Sequence, residues 1–326
     1  MPDVVAELFS RLTGSQVQRG ETGRGGRTLR WVRAQGPGRD RDGERVPTVV
    51  LESGLGEPLP TWVPIISELA VIAPVVAYER AGIGLSDPFE GPVTGEAQLA
   101  DLAAVIEDTG SAPCVLVGHS DGGWLGQALA WQRPDLVAGL VLIDPYHEAV
   151  VDAIPLEIMQ AQDAFIARFA TMTARDYIAS SAGGWAQAGA RYSDDPQMRS
   201  LIAEAWRSSY PSDSRLRTIY EEWIASQRET EWARELRGAS TFPLIPGVVL
   251  SATTGLPDRA RAIFTRLQIE TAQAAGARRE SVPAAGHYIH QDQPLAVLDA
   301  IRWVVAQATK KLAEATRCRA GEIPTP

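Results

Sequence analysis

A serine flanked by glycines is the residue of this chain best suited to chemistry. Ser120 stands in the middle of Gly118-His119-Ser120-Asp121-Gly122, after an apolar β-branched run and before a segment with helical character. This order predicts a strand, a sharp turn and a helix, with the serine at the apex of the turn. Small residues are needed on both sides, because the turn is strained and neighbouring backbone passes close to it. The pattern is typical of an exposed serine nucleophile.

A serine hydroxyl needs a base to attack a carbonyl near neutral pH, and the chain offers four histidines. His119 adjoins the serine, so its side chain should point away from the hydroxyl. His147 follows a predicted strand end, and His290 is expected to pack near the start of the last helix. His287 follows a loop of small residues after the last predicted strand, where it can reach back over the edge of the sheet. We therefore take His287 as the general base.

Two aspartates could orient this histidine and stabilise its charged form, and the residues leave the choice open. Asp258 follows a predicted strand at 248–252, but it also suits the N-cap of the next helix. Asp144 ends the strand that follows the nucleophile's helix, and it also suits a turn before a proline. Either arrangement would complete a serine–histidine–aspartate triad.

Two backbone N–H groups are expected to form an oxyanion hole. One belongs to Asp121, at the start of the helix after the serine, and the other to Leu55 in the glycine-rich turn 54–56. Gly54 of the same turn is expected to line the substrate site. Because these contributions come from the backbone, they depend on the shape of the turn rather than on side-chain type.

The remaining sequence alternates strands and helices, which predicts an α/β fold with a mostly parallel central sheet and helices on both faces. The alternation breaks at residues 148–238, which show only helical patterning. We assign residues 15–147 and 239–315 to the core, 148–238 to a helical lid inserted between two strands, and 316–326 to a disordered tail. The main predicted strands lie at 16–21, 27–34, 46–52, 74–78, 137–143, 247–252 and 279–283, and the main helices at 1–14, 62–69, 96–109, 124–132, 259–274 and 294–312.

The predicted lid is rich in aromatic residues, which suggests an apolar substrate. Its tryptophans Trp185 and Trp206 are expected to contact the substrate. From the core we expect the same of Trp124, His147 and Tyr288.

Composition excludes several other classes of protein. A net charge of −9 argues against nucleic acid as a partner, and we find no apolar stretch of the roughly 18 residues that a membrane span needs. The N-terminus lacks the features of a signal peptide, and the two cysteines make neither a disulfide framework nor a metal cluster. We expect a cytoplasmic enzyme without cofactor or metal. The oligomeric state stays open, a homodimer included.

Several segments together resemble the α/β-hydrolase superfamily, and the likeness runs from about residue 46 to the last helix. Besides the serine turn, Tyr78-Glu79-Arg80-Ala81-Gly82-Ile83-Gly84-Leu85-Ser86-Asp87 is similar to a segment of these enzymes that usually carries aspartate at the second place. Gly286-His287-Tyr288 is similar to their histidine loop, whereas Ser53-Gly54 replaces their usual His-Gly. The Gly-His-Ser-Asp-Gly-Gly turn is similar to that of lidded esterases of the valacyclovir-hydrolase type.

This resemblance implies a cofactor-free hydrolase in which the serine comes first along the chain and the histidine last. It favours the region of Asp258 for the acid, although some members place it where Asp144 stands. We expect a carboxylic ester or a lactone to be cleaved through an acyl-enzyme on Ser120. Amidase, peptidase or C–C hydrolase activity stays open, as does a receptor-like protein with slow turnover. Epoxide hydrolase and dehalogenase activity is disfavoured, because those enzymes carry aspartate at the apex.

Overall fold

The central element of the computed structural model, which describes residues 3–319, is an eight-stranded sheet. Its strands, in chain order, are β1 (Gln18–Arg24), β2 (Arg27–Ala34), β3 (Val49–Glu52), β4 (Val75–Tyr78), β5 (Cys114–His119), β6 (Val137–Ile143), β7 (Gly247–Ala252) and β8 (Arg278–Val282). In space the order is β1-β2-β4-β3-β5-β6-β7-β8. The neighbours from β4 to β8 pair in parallel, and β1 and β2 extend the sheet in antiparallel pairing. The predicted mostly parallel sheet is thus confirmed.

Helices cover both faces of the sheet, as apolar runs on the central strands require. Along β5 the side chains alternate: Val115 and Val117 belong to one apolar core and Leu116 to the other. The first core is covered by α1 (Val4–Thr13), α2 (Ile66–Ile72) and α13 (Pro294–Arg319). The second core is covered by α3 (Gly95–Asp108), α4 (Asp121–Gln132) and α11 (Asp258–Ala275).

Between β6 and β7 the described chain forms helices and no strand. They are α5 (Val150–Ala153), α6 (Leu156–Ala167), α7 (Ala174–Tyr192), α8 (Pro196–Ser208), α9 (Asp213–Arg228) and α10 (Thr230–Ala239). We call this segment the helical insertion. Its own apolar cluster includes Phe169, Trp185, Tyr210 and Ile219, and Leu55 from the core packs against it.

Most predicted boundaries lie within three residues of the observed ones, and two differ by more. The helix predicted over 62–69 begins only at Ile66, after a 3-10 turn at Leu59–Trp62, because Pro64 has no N–H to donate to the preceding turn. The last helix, α13, reaches Arg319, so the prediction of a disordered tail is wrong for residues 316–319. In this last stretch the Arg317 guanidinium lies 2.6 Å from the Glu44 carboxylate, which links the end of the helix to the loop before β3. The rest of the predicted tail lies outside the described residues.

A short helix, α12 (Ile289–Asp292), links the histidine loop to α13. Of the helices in residues 3–319, none combines the length and the apolar character needed to cross a lipid bilayer.

Candidate active site

The serine turn has the strained geometry that its glycines predict. Ser120 lies between β5 and α4 with φ of 51°, a value that residues with a side chain rarely adopt. A Cβ atom at Gly118 would collide with the Gly122 carbonyl group, and one at Gly122 would collide with the backbone of Glu52 and Ser53. The two glycines therefore allow three backbone segments to meet beneath the serine.

Ser120, His287 and Asp144 form one hydrogen-bonded chain. The Ser120 Oγ lies 2.9 Å from His287 Nε2, and His287 Nδ1 lies 2.7 Å from Asp144 Oδ2. The aspartate is fully buried, whereas 32% of the His287 side chain is exposed. A histidine that donates from Nδ1 to a carboxylate presents a lone pair at Nε2, which can accept the serine proton.

The Asp144 carboxylate is held by several donors besides the histidine. It accepts hydrogen bonds from the Ala252 N–H at 3.1 Å, Arg261 Nη1 at 2.9 Å and Gln268 Nε2 at 2.9 Å. Burial by itself raises the pKa of Asp144, but its hydrogen bond to His287 and the charges of His287 and Arg261 hold this pKa well below its usual range. The carboxylate therefore stays ionised and fixed in place.

The other candidate acid, Asp258, lies elsewhere. It is the exposed first residue of α11, and within residues 3–319 the carboxylate bonded to His287 is that of Asp144. Helix α11 contributes Arg261 and Gln268 instead, which donate to Asp144. The geometry thus favours Asp144, against the slight preference for Asp258 that the family resemblance implies.

The two expected oxyanion donors are free. The Asp121 N–H is the first of α4, and such N–H groups have no partner within their own helix. Within residues 3–319 neither this N–H nor that of Leu55 has a hydrogen-bond acceptor. Neither N–H would have to give up a hydrogen bond to bind an oxyanion, and their contact with one stays a prediction.

A buried arginine fixes the turn 54–56, which carries Leu55 and which we call the oxyanion turn. Arg80 donates to the carbonyl oxygens of Ser53 at 2.5 Å and Gly54 at 2.6 Å, and to the Glu52 carboxylate at 2.8 Å. No role for this arginine follows from the sequence analysis above, although it lies in the segment 78–87 that resembles the family. The signal that could have found it is a positive charge two residues after an apolar strand, which ends at Tyr78.

The helical insertion reaches the same turn through α9. Glu222 accepts from Arg80 Nε at 2.8 Å and from the Gly56 N–H at 2.6 Å. Because Glu222 lies 166 residues after Gly56, no local sequence pattern could reveal this contact. The turn next to the serine is therefore held from both the core and the insertion.

Two of the predicted substrate-contacting residues lie beside the triad. Tyr288 is exposed, and its ring centroid lies 5.5 Å from that of His287. Gly54 lies against the side chains of Glu57 and His119, the residue before the serine. These positions leave Tyr288 available to a bound substrate.

Three other predicted contacts, His147, Trp185 and Trp206, have no hydrogen bond or ring contact with Ser120 or His287 among the described residues, whereas the backbone N–H of Trp124 donates to the Ser120 carbonyl oxygen at 3.3 Å. Trp124 is buried against Trp232, and Trp185 is buried in the insertion, parallel to the ring of Tyr210. His147 is buried too, and burial together with the nearby positive charge of Arg237 lowers its pKa to about 4. Their contact with substrate stays a prediction.

One group of side chains could offer ligands to a metal ion. Glu57, His119 and His290 each have one ligand atom within 4.8 Å of the others, directly beneath the histidine loop. Glu57 and His119 are already hydrogen-bonded at 2.9 Å.

Comparison with known proteins identifies the family. Residues 49–300 match the model of the alpha/beta hydrolase family, a range that includes Ser120, Asp144 and His287. The chain belongs to this family.

Individual relatives match this chain over a short segment or at low identity. The chain is 46% identical to the lipase LipV of Mycobacterium tuberculosis over 72 residues, which cover 22% of this chain and 27% of that protein. It is 27% identical over 233 residues to the mouse sn-1-specific diacylglycerol lipase ABHD11, covering 66% of each. The match thus spans only part of either relative. Among solved structures, the enol-lactonase from Burkholderia xenovorans LB400 has a TM-score of 0.55 at 22% identity, covering 88% of this chain and 100% of that one.

Proposed function

We propose that this protein is a serine hydrolase that cleaves carboxylic esters or lactones, with Ser120 as nucleophile. The observation that carries the proposal is the position of His287, 2.9 Å from Ser120 Oγ and 2.7 Å from Asp144. Hydrolase family membership and the names of its relatives, two lipases and a lactonase, agree with this chemistry.

The proposed reaction has two halves. Ser120 Oγ attacks the carbonyl carbon while His287 Nε2 takes the hydroxyl proton, and the N–H groups of Leu55 and Asp121 stabilise the oxyanion. The tetrahedral intermediate collapses as His287 returns that proton to the leaving alkoxide, which leaves an acyl-enzyme. Water then gives a proton to His287 and attacks the acyl carbon, and the acid leaves as Ser120 recovers its proton. Asp144 stabilises the imidazolium in both halves.

We propose that the helical insertion, residues 148–238, acts as a lid over this site. Its apolar cluster contacts Leu55, and Glu222 binds the oxyanion turn, so the insertion and the site share one boundary. An apolar cover beside the serine suits a hydrophobic acyl or alcohol group. The proposed substrate is therefore a small, uncharged, hydrophobic ester or lactone. We propose a cytoplasmic location for the enzyme.

A panel of p-nitrophenyl esters of increasing acyl length, together with simple lactones, tests the proposal. We expect turnover by the wild type and a loss of kcat of at least about 10⁴-fold in Ser120→Ala, as for serine nucleophiles elsewhere. Ser180→Ala, an exposed position on α7, is the matched control and should retain full activity. Activity that survives Ser120→Ala, or a wild type inactive on every ester and lactone, would contradict the proposed function.

A further inference from the structure

A second histidine–carboxylate pair lies directly beneath the proposed triad. The fully buried His119 has one ring nitrogen, Nδ1, 2.9 Å from the Glu57 carboxylate. Its other nitrogen, Nε2, lies 3.0 Å from the backbone carbonyl oxygen of His287. A carbonyl oxygen and an ionised carboxylate can only accept hydrogen bonds, so with Glu57 ionised both nitrogens of His119 carry a proton in this geometry. The ring is then an imidazolium, and with Glu57 it forms an ion pair.

The pair joins the three segments that build the proposed site. Glu57 also accepts a hydrogen bond from the Gly54 N–H at 3.0 Å, in the turn that carries the oxyanion donor Leu55. His119 is the residue before the nucleophile, and its other bond reaches the loop of His287. One chain of hydrogen bonds therefore runs from the oxyanion turn, through the serine turn, to the general base.

We infer that Glu57 and His119 form a charged positioning pair, which sets the distance between the oxyanion turn and the His287 loop. The inference rests on the proposed function for its effect on turnover, but not for the charge state of His119. Hydrogen bonds to charged groups are shorter and about twice as strong as neutral ones, which suits a link that must hold two loops. Within residues 3–319 neither residue hydrogen-bonds to Ser120 Oγ or to the His287 ring, although the rings of His119 and His287 have centroids 4.7 Å apart.

The surroundings of His119 support its charge. Burial lowers the pKa of this imidazole, but the negative charge of Glu57 and the hydrogen bonds to Glu57 and His287 raise it above 6.5 overall. The other titratable or charged groups that face His119 are His287, His290, Tyr288 and Asp144. Of these, His290 is buried with its pKa well below 6.5, because burial and the charge of His119 oppose its protonation. It adds no second positive charge.

A metal ion bound by Glu57, His119 and His290 is the alternative occupant of this cluster. Zinc bound to a nitrogen and an oxygen at about 2.0–2.1 Å each would hold those atoms roughly 3.3 Å apart in tetrahedral geometry. The separation of 2.9 Å between His119 Nδ1 and Glu57 is that of an N–H···O hydrogen bond instead. The proton, rather than a metal, is therefore the better occupant.

Nitrogen-15 NMR of the histidine rings tests the charge state without any substrate. The chain has only four histidines, so each ring can be assigned by substituting it with glutamine. In the wild type we expect both His119 nitrogens to be protonated near about pH 7, where a free imidazole is mostly neutral. In Glu57→Gln the amide can donate to Nδ1, so His119 should become neutral and its titration should move to lower pH. Glu68→Gln, at an exposed position on α2, is the matched control.

The kinetic arm uses the best ester from the panel. Misplacement of reacting groups by about 1 Å can cost 10²-fold, so Glu57→Gln and His119→Gln should lower kcat by about 10- to 100-fold with little change in KM. The wild type should also lose activity at alkaline pH as His119 loses its proton, and Glu57→Gln should lack this alkaline decline. Thermal unfolding of each variant shows whether it is folded.

The outcomes separate this inference from the proposed function. If the wild type hydrolyses no ester but His119 is doubly protonated and responds to Glu57→Gln, the ion pair stands and the proposed function fails. A neutral His119 in the wild type near pH 7 would overturn the inference, whatever the activity. Loss of the His119 Nδ1 proton on addition of zinc would also overturn it. So would an unchanged kcat and an unchanged pH profile in folded variants of both residues.

Discussion

At the scale of single residues, Asp144 shows how environment selects one carboxylate over another. Asp144 and Asp258 both follow strand ends and are equally good candidates in the sequence. Asp144 directly follows the strand that pairs with the serine's strand, is buried, and receives donors from two elements. Asp258 faces solvent at a helix start. The choice therefore depends on which loop lies beside His287, and a single sequence does not contain that information.

The first prediction separates these two aspartates. Asp144→Asn should lower kcat by up to about 10⁴-fold, because an amide cannot stabilise the imidazolium and favours the wrong histidine tautomer. Asp258→Asn should keep nearly full activity, since its carboxylate is solvated. Steady-state kinetics on one ester compares them directly. A larger loss in Asp258→Asn than in Asp144→Asn would contradict the assignment.

The second prediction concerns stability and pH at Glu57. Burial raises the pKa of Glu57, but attraction and hydrogen bonding to His119 lower it overall from 4.5 to about 2. This group therefore contributes stability above pH 4.5 that is lost as pH falls towards 2, at most roughly 3 kcal/mol for a shift of this size. His119, whose pKa is raised, contributes stability that is full below pH 6.5 and is lost as pH rises beyond its folded pKa.

Urea unfolding at a series of pH values measures this effect. We expect the free energy of unfolding of Glu57→Gln to change less with pH than that of the wild type on both sides of the interval 4.5–6.5. The control Glu68→Gln should follow the wild type. Parallel curves for Glu57→Gln and the wild type would show that the ion pair does not contribute to stability.

At the scale of elements, the sequence predicts regular structure far better than contacts between distant segments. Strands β6 and β7 begin and end where their apolar runs do, because buried parallel strands need continuous apolar residues. The serine turn follows from local glycine chemistry in the same way. By contrast, Arg80 and Glu222 lie 142 residues apart, and neither has a local signal for the other. The parts of the site that depend on such pairs require the folded structure.

The third prediction tests this link between the oxyanion turn and the insertion. Arg80→Met should lower the free energy of unfolding by about 3–5 kcal/mol, because it leaves the buried carboxylates of Glu52 and Glu222 without their cation. Arg133, which also pairs with two carboxylates but on the surface, is the matched control. Because water screens that pair, Arg133→Met should have a much smaller effect. If denaturant unfolding showed that the two variants lose equal free energy of unfolding, the proposed role of Arg80 would be contradicted.

At the scale of the whole molecule, the net charge affects how charged ligands approach the protein. The chain carries a net charge of −9, whereas the proposed oxyanion donors are neutral backbone groups. A field of one sign repels ligands of the same sign, and salt screens it over about 8–10 Å at ordinary ionic strength. The overall charge therefore affects how readily charged substrates approach the site, and it does not determine which bond is broken.

The fourth prediction follows from this charge. An ester with a free carboxylate should have a lower kcat/KM than its neutral isostere, and the gap should narrow when salt is raised from about 0.01 M to about 0.5 M. Salt should change the rate for the neutral ester far less. A gap that is independent of salt would mean that contacts within the site, rather than the field of the molecule, discriminate between the two substrates.

The proposed mechanism requires a covalent acyl-enzyme on Ser120, and this species can be trapped. The wild type would be mixed with an excess of its best p-nitrophenyl ester, quenched in acid within the first turnovers, and measured by intact and peptide mass spectrometry. We expect a mass gain equal to the acyl group on the peptide that contains Ser120, and no mass gain on that peptide in Ser120→Ala. An acyl group found on another residue, or turnover in Ser120→Ala at the rate of the wild type, would contradict it.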